Sequence, residues 1–177
     1  MGLGEALKRG GQLMFIGLVS DTHGVFSEPF KEFFADVDEL WHAGDFGGGE
    51  DFAAGIAGFK PLVGVYGNCD GGAFRYMFPR FQYREVEGVR LLMTHIGGSP
   101  GHYDSEAARL LDEYRPDVFI CGHSHILKVM NDRKRGLLYV NPGAAGLQGW
   151  QVVRTALRFK VEGGSVKDME VFELPRK

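Results

Sequence analysis

Short continuous apolar runs alternate with helical patterns through the first half of the chain. Leu13–Ser20 ("LMFIGLVS") reads as a buried strand, because it is short and unbroken. A helix is predicted next, with Ser27 at its cap, Pro29 near its start, and Phe30, Phe33 and Phe34 on one face. Glu39–Ala43 is a second strand, Glu50–Ala57 a second helix and Pro61–Tyr66 a third strand. Strands separated by helices point to a parallel sheet built of βαβ units.

Beyond Arg75 the pattern changes. Gln82–Glu87 and Val89–Thr94 flank Gly88 and predict an antiparallel hairpin. Asp104–Tyr114 is a helix with a polar cap, an apolar stripe of Ala107, Leu110 and Leu111, and Pro116 to end it. Asp117–Cys121 is another buried strand. The remainder reads as all-β: Lys128–Asn131, Leu137–Asn141, Gln151–Glu162 and Ser165–Leu174, with turns at "DRKRG" and "EGG". No repeat or low-complexity segment interrupts this order. A single domain over 14–177 is expected, preceded by an N-terminal extension, residues 1–13, which reads as a polar lead-in to the first strand.

Composition narrows the picture only where it departs from the ordinary. A net charge of -3 lacks the basic excess of a duplex nucleic-acid binder. No apolar run is long enough to suggest a membrane span, and the N-terminus lacks the apolar core of a signal peptide. Cys69 and Cys121 are too few for a disulfide framework, so a reducing, cytoplasmic setting is expected. Gly does stand out: its 27 residues are more than double average usage of ~7%. They cluster just after apolar runs, in "HAGDFGGG", "VYGNCDGG", "THIGG" and "CGH", where a backbone must turn sharply or come close to a ligand.

The same places carry the candidate chemistry. Five apolar runs each end in metal-capable residues: Asp21 and His23, then Asp45, then Asn68, then His95, then His123 and His125. In open α/β sheets, sites form beyond the carboxyl ends of the strands. All 6 histidines, including His42 and His102, lie in or beside these segments. Imidazole with carboxylate and amide oxygen suits Mn, Fe, Zn or Ni, and the lack of thiolate pairs argues against a structural zinc site. The donors outnumber the four that a tetrahedral ion takes, so two ions sharing a bridging carboxylate is the economical reading.

Taken in order, "SDTHG", "HAGDFGG", "YGNCD", "MTHIGG", "CGHSH" and "VNPGA" resemble the calcineurin-like metallophosphoesterases over roughly Ile16 to Gly146, and most closely their compact bacterial and archaeal phosphodiesterase branch. The resemblance implies an α/β fold, a four-layer αββα sandwich of two mixed sheets flanked by helices. It implies that Asp21, His23 and His125 hold one divalent cation, that Asp45 bridges, and that Asn68, His95 and His123 hold the second. Mn is the first expectation, with Ni, Fe, Zn or Mg as alternatives. It further implies hydrolysis of a small organic or nucleotide phosphodiester by a metal-bridging hydroxide. A phosphomonoesterase on the same site is the runner-up. A eukaryotic retromer subunit of this fold serves instead as a protein-binding scaffold, and relatives are often dimers or tetramers.

One position departs from the pattern. Where many relatives have a histidine that protonates the leaving group, this chain has Cys69, a poor substitute. His102 is the candidate donor in its place, with a surface-loop role as its alternative. Asp70 is either part of the same catalytic group or a loop stabiliser. Singly, Asp21, Asp45 and Asn68 could be turn formers and the histidines core or loop residues; as a set they read as ligands. His42, inside a strand, reads as a supporting or core histidine, and Cys121 as a small core residue. "NDRKRG" reads as a solvated hairpin turn, and Asn141–Gly143 as a turn supporting the site.

Overall fold

The computed structural model describes residues 11–176, so most of the predicted N-terminal extension lies outside the described residues. Two five-stranded mixed sheets face each other. The first contains β1 (Met14–Val19), β2 (Glu39–His42) and β3 (Leu62–Gly64) in parallel. β11 (Val153–Glu162) and β12 (Ser165–Pro175) extend it antiparallel from the β1 edge. In the second, β5 (Val89–Thr94), β8 (Val118–Ile120) and β10 (Leu137–Pro142) run parallel. Its edges are the antiparallel β4 (Phe81–Val86) and β9 (Leu127–Asp132).

Alternation along each strand builds the layers. In β1, Ile16 and Leu18 enter the core between the sheets with Trp41, Leu91, Met93, Val118, Ile120, Leu157 and Phe159. Val19 faces the other way, onto α1 (Glu28–Phe33) and α2 (Gly49–Phe59), where Phe30, Phe34, Phe46 and Ile56 are buried. Gly17 lies on that face too, and a Cβ there would come within 2.6 Å of the Phe34 ring. On the second sheet, Leu92 and Phe119 point outward to Ala107, Leu110 and Leu111 of α4 (Ser105–Tyr114). Period-2 side-chain direction thus yields helices, sheet, sheet, helix, the expected four layers.

Several boundaries moved. Ser27 does precede α1, but its hydroxyl accepts from Arg154 (3.2 Å) rather than from a helix amide. Asp104 does cap α4, accepting from the amides of Glu106 (3.0 Å) and Ala107 (3.3 Å). The hairpin at Gly88 forms with Glu87 and Gly88 both at positive φ (45° and 82°), the two-residue turn that matches strand twist. α3 (Gly72–Met77) and the small hairpin of β6 (Gly98–Ser99) and β7 (His102–Tyr103) were not expected. The strand-rich back half also divides: β9 and β10 join the second sheet, while β11 and β12 return to the first. No helix among the described residues is long and apolar enough to cross a membrane.

Candidate metal centre

The parallel strands of both sheets aim their carboxyl ends at one place. The loops after β1 and β2 are zipped together by backbone bonds from Asp21 to Gly44 (2.9 Å), His23 to Asp45 (3.1 Å) and Gly24 to Phe46 (2.7 Å). The loops after β5 and β8 are joined by Gly122 N–H to His95 C=O (2.9 Å). Asp21, His23, Asp45, His123 and His125 all have positive φ, between 45° and 67°. Side chains other than glycine rarely adopt this conformation, and it costs roughly 1–3 kcal/mol each unless the surroundings impose it. Glycines make the approach feasible. A Cβ on Gly67 would strike the Asp45 carboxylate, and one on Gly122 would strike Ser20 and Asp21.

The donors converge accordingly. His125 Nε2 lies 3.1 Å and His23 Nε2 3.9 Å from Asp21 Oδ1. His95 Nε2 lies 3.3 Å from Asp45 Oδ2, 4.0 Å from Asp21 Oδ1 and 2.9 Å from Asn68 Oδ1. Three groups have all their donor atoms within 4.8 Å of one another: Asp21–His23–His125, Asp21–Asp45–His95 and His23–Asp45–Cys69. His123 falls outside these groups; its amide donates to Asp21 Oδ2 (3.1 Å) and its exposed ring stands edge-on to His95, centroids 5.3 Å apart.

Two buried atoms here, Asp21 Oδ1 and His23 Nε2, have no hydrogen-bond partner. Buried polar atoms are nearly always satisfied, so an orphaned carboxylate oxygen beside an orphaned imidazole nitrogen fits a cation that both would ligate. The other atoms are held in place. Asp21 Oδ2 accepts from Ser20 (2.6 Å), and Asp45 Oδ1 from the Cys69 amide (2.8 Å). His95 Nδ1 donates to Ala43 C=O (2.7 Å), which aims Nε2 at the carboxylates.

Electrostatics follow from that packing. Burial opposes charge on His95, but Asp45 and Asp21 outweigh it and raise its pKa. His125 is raised mainly by the Asp21 carboxylate oxygen 3.1 Å from its Nε2. Burial would raise the Asp45 carboxyl, yet His95 and the Cys69 amide hold it below the usual carboxylate range.

The remaining predicted residues divide. Asp70 is buried, and its two oxygens accept from the backbone amides of Gly67 (2.7 Å) and Gly47 (3.3 Å), which ties the loop after β3 to the loop after β2. His102 is exposed on β7, hydrogen-bonds to no ligand residue and does not line the adjoining cleft. His42 is buried, stacked on Phe46 (3.6 Å between centroids) and bonded to Thr22 (2.9 Å), with burial lowering its pKa to about 3. Cys69 is exposed beside Asp45, its thiol pKa raised by partial burial and then by that carboxylate. Cys121 is a core residue bonded to Tyr139 (3.2 Å), pushed up to about 12 by burial. Asn141 ties the loop of His123 and His125, donating to Gly122 C=O (2.9 Å) and Ser124 (3.1 Å).

Beside Asn68 and His95 opens a cleft of about 450 Å³, with Tyr66 and Arg75 in its wall. Neither was singled out in the sequence. The signal, an aromatic residue just before the ligand loop and a cation just after it, becomes meaningful only once α3 is known to form.

Fold and site together define a two-sheet α/β protein with a metal-competent centre at its strand ends. The sequence model of the calcineurin-like phosphoesterase superfamily domain matches residues 14–164, and the chain belongs to that superfamily. A probable metallophosphoesterase of Methanothermobacter thermautotrophicus is 30% identical over 139 residues, covering 74% of this chain and 77% of the relative. A solved archaeal phosphodiesterase superposes with a TM-score of 0.65 at 23% identity, covering 91% of this chain and 100% of that one. Wild-type Vps29 of Entamoeba histolytica, complexed with zinc, superposes with a TM-score of 0.70 at 14% identity over 93% and 100%. These last two likenesses speak to the fold. Family membership implies a phosphoric ester hydrolase that works with divalent metal ions.

Proposed function

We propose that the chain is a phosphodiesterase for a small organic or nucleotide diester, working with two divalent cations, Mn first among the candidates. The observation that carries this reading is the convergence of Asp21, Asp45 and the histidines around unpartnered buried donor atoms. Asp21, His23 and His125 would hold one cation and Asn68, His95 and His123 the other, with Asp45, which belongs to two of the donor groups, between them. When bound, such ions acidify water and neutralise charge on phosphate oxygens.

The chain's own residues do the rest. Ala43 C=O fixes the tautomer of His95, the Cys69 amide orients Asp45, and the Ser20 hydroxyl orients Asp21. Water oxygen bonds to phosphorus, the ester P–O bond breaks, and the leaving group takes up the proton that water gives up. With the Cys69 thiol held a weaker acid than usual and His102 off the cleft, hydrolysis favours leaving groups that depart as stable anions. The cleft beside Asn68 supports a diester over a monoester, since it has room for a second ester arm.

A second reading has its own observation. Ile126, Leu147, Trp150 and Val152 are exposed around the loop of His125, an apolar rim suited to a protein partner, and Vps29 shares the fold. Turnover decides between them: metal-stripped protein is given Mn²⁺, Ni²⁺, Mg²⁺ or Zn²⁺ with bis-p-nitrophenyl phosphate or p-nitrophenyl phosphate. Metal-dependent diester turnover, lost in Asp45→Asn, is expected. Monoester preference would favour a phosphomonoesterase, and silence with every metal in folded protein would favour the scaffold.

A further inference from the structure

The cleft beside Asn68 and His95 holds a cation that the metal centre does not use. Arg75, on α3, lies over the Tyr66 ring, its guanidinium carbon 5.2 Å from the ring centroid. Among the described residues it has no ion pair. The cleft's other charges are spoken for. Arg80 pairs with Glu106, and the Asp104 carboxylate is occupied by the amides at the start of α4. Among the described residues of the wall, Arg75 is therefore the cation without a carboxylate partner. A guanidinium lying on an aromatic ring is pre-positioned, and it can still offer its N–H edge to a carboxylate or phosphate.

We propose that this cleft receives the second ester arm of the substrate, and that Arg75, seated on Tyr66, selects arms ending in an anionic group. The inference rests on the phosphodiesterase reading and adds a substrate class to it: diesters carrying a further carboxylate or phosphate-type group. The cations would neutralise the scissile phosphate, leaving Arg75 to meet the additional charge. Arg75 is a specificity residue, because nothing places it at the reacting bond.

The test keeps one leaving group and varies only the arm: ethyl, carboxymethyl and 2-phosphonoethyl p-nitrophenyl phosphates, with metal-loaded protein. Wild type is expected to favour one or both anionic arms over ethyl by about five- to tenfold in kcat/KM, the scale of a partly exposed charge-assisted contact. A preference for the phosphonoethyl arm alone assigns the cleft to phosphate-type groups, and for the carboxymethyl arm alone to carboxylates. In Arg75→Gln and in Tyr66→Ala the ratio falls towards one, and in Arg75→Lys part of it returns. Equal kcat/KM for all three arms in wild type, or a preference that survives Arg75→Gln, overturns the proposal. If even the ethyl ester is not hydrolysed, the phosphodiesterase reading fails by itself. Calorimetry with carboxymethyl, 2-phosphonoethyl and ethyl methylphosphonates then judges the cleft: tighter binding of an anionic arm, lost in Arg75→Gln, supports it, and equal binding sinks it.

Discussion

The two ends of the sandwich use the same backbone conformation for different purposes. At the far end, positive φ sits in hairpin turns: Glu87–Gly88, Gly136 and Gly163–Gly164. There the turn itself is the reason: at Glu87–Gly88 and Gly163–Gly164 both central residues must be left-handed to match strand twist, and Gly136 closes the longer turn after Asp132. At the strand carboxyl ends, five aspartates and histidines take that conformation, packed among glycines that admit no Cβ. Local geometry does not require this; the convergence of donor atoms does. Strain that a turn explains is architectural, and strain on side chains aimed at one point marks a functional centre.

The largest effect tests that contrast at its centre. Asp45→Asn keeps the shape but removes the charge shared by two donor groups, and kcat/KM for a diester is expected to fall by at least ~10²-fold. A circular-dichroism melt would show whether the fold survives, and a tenfold or smaller loss would contradict the role. Matched glycine substitutions come next. In Gly67→Ala the new methyl meets the Asp45 carboxylate, so metal affinity and turnover should collapse together. In Gly136→Ala the methyl enters open space and only the backbone conformation resists, at ~1 kcal/mol of stability with turnover retained. Equal effects at the two ends would erase the distinction.

A subtler separation uses pH. His42 is neutral when folded, with its pKa lowered to about 3 by burial, and takes a proton near 6.5 when unfolded. The unfolded chain binds more protons between those values, so this contribution to stability is present above 6.5 and is lost as pH falls, by at most ~1.4 kcal/mol per pH unit. His95 and His125, raised by their carboxylate neighbours, act oppositely in metal-free protein: their contribution is full below 6.5 and lost as pH rises through the folded pKa values. Chemical denaturation of wild type and His42→Gln across acidic pH isolates the first effect; parallel curves would count against it. The smallest effect belongs to His102→Ala. With no contact to the ligands, it should change kcat by less than ~twofold even for poor leaving groups, far below the ~10²-fold minimum of a general acid. A large loss there would restore it as the proton donor.

The site was more legible in the sequence than the sheets around it. Asp21, Asp45, Asn68 and His95 each close an apolar run, so strand pattern and ligand position reinforce one another. Period-2 alternation states which face of β11 is buried but not which sheet it joins, and only the tertiary packing sends β11 and β12 back beside β1. α3 was missed because its single buried residue, Phe74, gives no helical period, and Arg75 on Tyr66 was missed with it. Asp70 and His102 drew notice through their proximity to ligands in sequence, and only geometry separates a carboxylate occupied by amides from one facing a substrate.

The most direct test is calorimetric titration of metal-free protein with Mn²⁺ in buffers of differing ionisation enthalpy. Binding of two ions per chain is expected, with protons released because His95 and His125 hold them more tightly than ordinary imidazoles, and with affinity rising with pH. Asp45→Asn should lose at least one of the two ions. No binding by folded wild type, or undiminished binding by Asp45→Asn, would contradict the claim that the strand ends of both sheets converge on a metal centre.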